Sequence, residues 1–253
     1  MRKTIAVVNQ KGGVGKTTTA VNLAAGLALA ERPTLLVDLD PQGNATTGLG
    51  IQKAGLYPTV YHVLLGAEPL DKALRPAWPP SLRVLPSDID LVGAEIELVG
   101  IEHRESRLKQ ALESVDLDGW IIIDCPPSLG LLTINALVAA DSVLVPLQCE
   151  FYALEGLTHL LKTVKLVRER LNARLHVGGI VLTMFDGRTS MAMQIRDEVQ
   201  RYFPGEIYET IIPRNVRLSE APSHGKPVML HDLRSSGAIA YLELTREVLA
   251  HEH

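Results

Sequence analysis

Aromatic residues and cysteines are scarce in this chain. Phe, Trp and Tyr make up 4% of 253 residues, and Cys125 and Cys149 are the only two cysteines. So few cysteines exclude a disulfide-built scaffold. The eight histidines show no metal-binding spacing: His62, His103, His159, His176, His224 and His231 are scattered, and His251 and His253 lie at the end of the chain. No apolar run reaches the length needed to cross a bilayer, and Met1-Arg2-Lys3-Thr4 leads straight into an apolar segment, which argues against a signal peptide. A cytoplasmic protein with no membrane partner is expected. Repeats and low-complexity tracts are also missing, which excludes solenoids and tethered arrays.

With aromatics at 4% and hydrophobic residues at 46%, Val, Leu, Ile and Ala must fill the core. That is the composition of buried parallel strands and the helices that cover them. Apolar runs predict strands at 4–8, 34–38, 82–86, 120–124, 142–147, 177–183 and 207–212. Helical patterns over 16–30, 154–171, 190–202 and 238–250 alternate with them. Such alternation predicts an α/β fold, a mostly parallel twisted sheet with helices on both faces, in a single domain spanning residues 1–253. The Pro-rich stretch Arg75–Ser81 is too short for an interdomain tether and reads as a surface loop.

The first strand runs into Asn9-Gln10-Lys11-Gly12-Gly13-Val14-Gly15-Lys16-Thr17-Thr18-Thr19 and then into a helix. Closely spaced glycines let successive N–H groups turn toward phosphate oxygens, and the helix that follows adds its positive end. This is the phosphate loop of a P-loop NTPase, with residues 11–18 cradling the nucleotide. Lys16 neutralises the β/γ-phosphates and the Thr17 hydroxyl ligates Mg²⁺. The usual first glycine is replaced by Gln10, and Lys11 adds a second cation at the loop's start. One lysine and one Mg²⁺ already serve the β/γ-phosphates, so Lys11 is expected to serve a nucleotide held by a second subunit, bridging a two-fold dimer through ATP.

Two further strands end in acids. Leu35-Leu36-Val37-Asp38-Leu39-Asp40 breaks at Pro41 and Gly43, and Ile121-Ile122-Ile123-Asp124 breaks at Pro126 and Pro127. Carboxylates at the C-terminal ends of strands face the ligand crevice of an open α/β sheet. Asp38, Asp40 and Asp124 are therefore candidates for holding Mg²⁺ and its waters, with Asp40 orienting the water that attacks the γ-phosphate. An acidic turn reads the same as Asp38-x-Asp40 taken alone, and Asp124 alone reads equally as a helix cap before the helical run 128–135.

Together these segments resemble the ParA/Soj family of chromosome- and plasmid-partitioning ATPases, within the larger group that includes MinD and the nitrogenase iron protein. The resemblance spans nearly the whole chain and extends through Pro146–Gly156 and Ile212–Ser223. It implies an ATP- and Mg²⁺-dependent sandwich dimer that binds double-stranded DNA without sequence preference and hydrolyses ATP slowly. It also implies faster hydrolysis on contact with a ParB/Spo0J-like centromere-binding partner, and a place on the nucleoid. By the same resemblance, Pro213 would lie against the adenine ring and Asn215 near its edge. Neither cysteine stands in the surroundings of the iron protein's cluster ligands, so packing is the better reading for both.

Net charge is −4, an unpromising sum for binding a polyanion, but its distribution is uneven. Residues 1–159 carry 12 bases and 18 acids, net −6; residues 160–253 carry 13 bases and 11 acids, net +2. Arg188 and Arg217, read as loop residues, are the family-supported DNA contacts, with Lys226 a third candidate and a solvated surface charge the alternative for each. Two rival functions remain. A MinD-like membrane-cycling ATPase would need a lipid-seeking C-terminal helix, yet Tyr241–Ala250 has more acids than bases and no Phe or Trp. A nucleotide-gated regulatory DNA-binding switch with negligible turnover would not need Asp40.

Overall fold

The computed structural model describes residues 2–150 and 152–251. Eight strands, β1 (Lys3–Val7), β2 (Thr34–Asp38), β3 (Arg75–Pro76), β4 (Leu82–Leu85), β5 (Trp120–Asp124), β6 (Ser142–Gln148), β7 (His176–Phe185) and β8 (Ile207–Pro213), form one sheet in the order β3-β4-β2-β5-β1-β6-β7-β8. Every pairing is parallel except β3 with β4. β1, β2 and β5 are buried along nearly their whole length because the sheet is covered on both faces. Alternate residues feed opposite layers: Ala6, Val37 and Ile123 join one hydrophobic cluster, and Val7, Leu36 and Ile122 the other.

Helices α1 (Lys16–Leu29), α2 (Asn44–Gly48), α3 (Val60–Leu65), α4 (Leu70–Ala73), α5 (Leu91–Glu97), α6 (Arg107–Glu113), α7 (Leu131–Ala139), α8 (Ala153–Arg170), α9 (Ser190–Tyr202), α10 (Val216–Glu220), α11 (Val228–His231) and α12 (Ser236–His251) complete the fold. α1 and α12 pack on one face through Leu23, Leu27, Tyr241, Leu244 and Val248. Helices α3–α9 cover the other. The predicted long elements all appear, with ends moved by one or two residues. The stretch read as a surface loop at 75–81 instead opens with edge strand β3, where Pro76 is tolerated because an edge residue need not donate to a neighbour. The helix expected from Ser128 begins at Leu131, after a turn.

Gly26 marks the closest approach of α1 and α12. A Cβ there would sit 2.2 Å from Thr245 Oγ1, which is itself committed to the Tyr241 carbonyl at 2.7 Å. Alanine at an ordinary helical glycine stabilises by about 1 kcal/mol. Here overpacking of about 1–3 kcal/mol opposes that gain. Gly26→Ala is expected to lower the urea midpoint; a raised midpoint would show that the two helices separate easily.

Candidate active site

The glycine loop joins β1, a central strand, to α1. Asn9 opens it by accepting the Lys11 N–H at 3.0 Å while its amide donates to the Pro146 carbonyl at 2.8 Å. Gly13 and Gly15 take left-handed conformations, φ 76° and 88°, which side chains resist. Thr183 Oγ1 donates to the Val14 carbonyl at 2.8 Å and fastens the loop to β7. Gly15 leaves the first turn of α1 without a side-chain cap, so its N–H groups remain for an anion. Behind the loop, the Thr19 and Tyr241 hydroxyls pair at 3.0 Å, and Asn22 ties the Val228 N–H to the Thr18 carbonyl.

In front of the loop lies a cleft of about 580 Å³, bordered by Gly12, Gly13, Gly15, Lys16, Thr17, Thr18, Asp40, Pro127, Pro213 and Asn215. Lys16 is 7% exposed, and its Nζ donates to the Lys11 carbonyl at 3.1 Å. Burial lowers its pKa, while Asp124 and Asp40 pull it back up. Met184, also on the cleft wall, holds a left-handed φ of 48°, a strained conformation for a side-chain-bearing residue and the kind that collects at ligand sites.

The three acids have different environments. Asp124 is fully buried, and neither carboxylate oxygen has a hydrogen-bond partner among the described residues. Burial holds its pKa well above the ordinary range and Asp38 adds to the shift; the Thr17 side chain, near enough to oppose it without completing a hydrogen bond, and Lys16 work against it. An orphaned buried carboxylate is costly unless something completes it. Asp40 borders the cleft and accepts the Gln42 N–H at 2.9 Å. The Thr17 hydroxyl, Asp40 and Asp124 offer an all-oxygen donor set suited to Mg²⁺ and its water shell.

Asp38 is placed differently from the expected metal-holding role. Its Oδ2 accepts the Thr46 N–H at 2.8 Å and the Thr46 hydroxyl at 2.7 Å, and Oδ1 accepts the Asp40 N–H at 3.2 Å. Burial pushes its pKa up to about 6 against those hydrogen bonds. Thr46 in turn accepts the Ser87 N–H at 2.9 Å. β2 ends at Asp38, whose side chain is fully buried, so it anchors the loop that carries Asp40 instead of bordering the cleft.

The remaining candidates are scattered around this centre. Lys11 pairs with Glu150 of its own chain. Pro213 and Asn215 border the cleft, but the Asn215 side chain caps α10 through the Arg217 N–H at 2.8 Å and donates to Ser236 Oγ at 2.7 Å. Arg188, in the turn after β7, holds Asp186 in a fork at 2.8 and 2.6 Å and keeps that carboxyl at about 2. Arg217 stands on α10, not in a loop, and reaches Glu220 at 2.7 Å and Asp232 at 3.3 Å. Lys226 is exposed and borders a smaller cleft beside Thr17 and Thr18. Thr46, Thr183, Asn22 and Tyr241 support the site without any sign in the sequence; each has a partner between 41 and 222 residues away, and no local pattern marks such pairings. Both cysteines sit where packing dominates, and burial raises both thiols, that of Cys149 to about 11.

A glycine loop on a central parallel strand, a buried lysine and acids at neighbouring strand ends define a P-loop ATPase. A family model described as an AAA domain matches residues 2–177. The chain is 57% identical over 251 residues to the sporulation initiation inhibitor protein Soj of Bacillus subtilis, covering 99% of each. It is 56% identical to the chromosome partitioning protein ParA of Myxococcus xanthus, covering 97% of this chain and 87% of that one. The fold matches a Mycobacterium smegmatis structure described as cobyrinic acid a,c-diamide synthase with bound ATP analog and magnesium, at a TM-score of 0.88 and 39% identity over 100% of this chain and 96% of that one. It also matches the septum site-determining protein MinD of Pyrococcus horikoshii with Mg-ADP, at 0.81 and 26%, over 99% and 98%. The chain belongs to the ParA/Soj family of partitioning ATPases.

Proposed function

We propose that this ATPase is a DNA-segregation switch that works with ATP and Mg²⁺. ATP bridges two copies, the bridged dimer binds double-stranded DNA without sequence preference, and slow hydrolysis to ADP and phosphate releases it. The observation that carries the nucleotide part is the buried, partnerless Asp124 beside Thr17 and Lys16, a site electrostatically incomplete without a cation. Among the chain's own residues, Lys16 and the loop amides would bind the phosphates; Thr17 and Asp124 would hold Mg²⁺ and its waters, which offset charge on the phosphoryl oxygens; Asp40 would orient water.

Lys11 is exposed and held to Glu150 on the surface, where an incoming nucleotide of a second copy could draw it away. A surface pair of this kind contributes only about 0–1 kcal/mol and breaks readily. The kinship with Soj and ParA supports a chromosomal or plasmid role, a ParB/Spo0J-like centromere-binding partner that accelerates hydrolysis, and a cytoplasmic, nucleoid-bound location. No helix among the described residues is long and apolar enough to cross a membrane.

DNA retention tests the reading. Arg188→Glu and Arg217→Glu should each weaken ATP-dependent binding to random-sequence duplex while leaving ATP-dependent dimerisation in place. Because a dimer presents each residue twice, the slope of log affinity against log salt should fall by about 2 for each substitution. Unchanged slopes in both would remove this surface from the DNA contact.

A further inference from the structure

A second polar cleft lies at the opposite end of the sheet from the glycine loop. β1 starts beside it and delivers the loop at its other end, so the two sites are separated by the length of that strand, roughly 16 Å at 3.3 Å per residue. The cleft is about 240 Å³ in volume. Three bases from separate parts of the chain reach it: Arg2 just before β1, Lys109 on α6 and Arg174 in the turn between α8 and β7. Asp141, just before β6, is the one acid on its wall among the described residues. Neither the nucleotide site nor the proposed DNA contacts use any of these four.

Like charges gathered in one recess repel each other, and the fold gives them little relief. Arg2 Nη1 donates to the Leu112 carbonyl at 2.8 Å, near the C-terminal end of α6, which leaves most of the five guanidinium donors for other partners. The side chains of Lys109 and Arg174 have no hydrogen-bond or ion-pair partner among the described residues. Asp141 offsets only one charge and is already committed to the backbone. Its Oδ2 accepts the Thr4 N–H at 2.9 Å, its own N–H donates to the Thr4 carbonyl at 2.8 Å, and its carbonyl accepts the His176 N–H at 3.2 Å, so it joins the starts of β1, β6 and β7. With three bases and one acid the recess keeps a net charge of +2. Leu112 and Ala139 supply an apolar wall, beside which an ion pair is screened less than in open water.

We propose that this cleft binds a small phosphate-bearing anion of about the size of pyrophosphate. Acceptor count selects the chemistry. Three cationic groups need at least three acceptor oxygens; a carboxylate offers two, whereas a phosphate group presents three or more around a tetrahedron. A guanidinium fork takes two phosphate oxygens at once, and Lys109 adds a point charge from the α6 side. A duplex backbone fits less well, because Arg2 and Lys109 are half-buried in a recess while a duplex offers its phosphates on a convex surface. The occupant ties α6 and the α8–β7 turn to the start of β1, the strand whose other end carries the glycine loop.

Calorimetric titration of pyrophosphate into the full chain tests this, without nucleotide or Mg²⁺ and with Lys16→Ala in place so that the glycine loop contributes little. Saturable binding is expected, and adding Lys109→Ala or Arg174→Ala should each weaken it by about tenfold or more. Acetate at the same ionic strength should give no comparable heat, and a short duplex DNA should fail to displace pyrophosphate. Absence of saturable heat, or affinity unchanged by both cleft substitutions, overturns the proposal. Acetate binding as tightly does so too, since charge alone would then suffice, and so does displacement by the duplex, since the surface would then read a nucleic-acid backbone. The readout needs neither turnover nor dimerisation, so its outcome is independent of the DNA-segregation reading.

Discussion

Lys16→Ala should abolish useful binding of Mg·ATP. The lysine is nearly buried at the mouth of α1, and its ammonium donates to the Lys11 carbonyl. Desolvation lowers its pKa, so the site holds a cation that water solvates poorly and that a phosphate would satisfy. Hydrogen bonds to charged groups contribute about 1.5–3 kcal/mol each. Removing two such bonds to phosphate together corresponds to roughly 10²- to 10⁴-fold in affinity. Alanine also leaves Asp124 and Asp40 without their nearby cation, which raises the Asp124 pKa further and disfavours a magnesium site. Calorimetric titration measures the loss, with circular dichroism showing that the fold survives. Binding within about threefold of the parent would mean that the loop amides alone hold the phosphates.

Asp40→Ala should have the opposite profile, with ATP retained and turnover lost. Asp40 borders the cleft, while the neighbouring loop is held by Asp38 and Thr46 and not by Asp40's own contacts beyond the Gln42 N–H. Removing one of several acids beside the phosphates relieves like-charge repulsion, so ATP affinity should hold or rise. Loss of a group that positions the attacking water costs about 10²- to 10⁴-fold in rate. Single-turnover phosphate release reads that loss directly, and the trapped species should be the dimer on DNA. A variant that hydrolyses ATP at the parental rate would move the role of water orientation elsewhere. One that stays monomeric with ATP would break the link between Asp40 and release.

The strands were legible because burial on both faces turns them into short apolar runs, and the glycine loop because phosphate binding constrains residue type at every step from Lys11 to Thr18. Much of the rest depends on distance in space. Helices such as α4, α10 and α11, four or five residues long, carry no periodicity to read, and β3 is hidden by its proline. Spacing placed Asp38 and Asp40 together, but only the fold shows Asp38 turned onto Thr46. Arg217 reads as a loop charge and proves to be a helical residue bound to two acids. The apolar residues of α5 divide between core and solvent, Leu91 and Ala94 buried and Val92 and Ile96 exposed, a division that hydrophobicity alone does not reveal.

The central claim is that ATP joins two copies and that the joined form holds DNA. Sedimentation velocity of the protein with a labelled random-sequence duplex, in ATP, ADP and no nucleotide, tests both halves in one run. The account predicts a doubled protein mass and co-sedimenting duplex with ATP alone. An unchanged mass with ATP, or duplex carried equally in all three states, would contradict it.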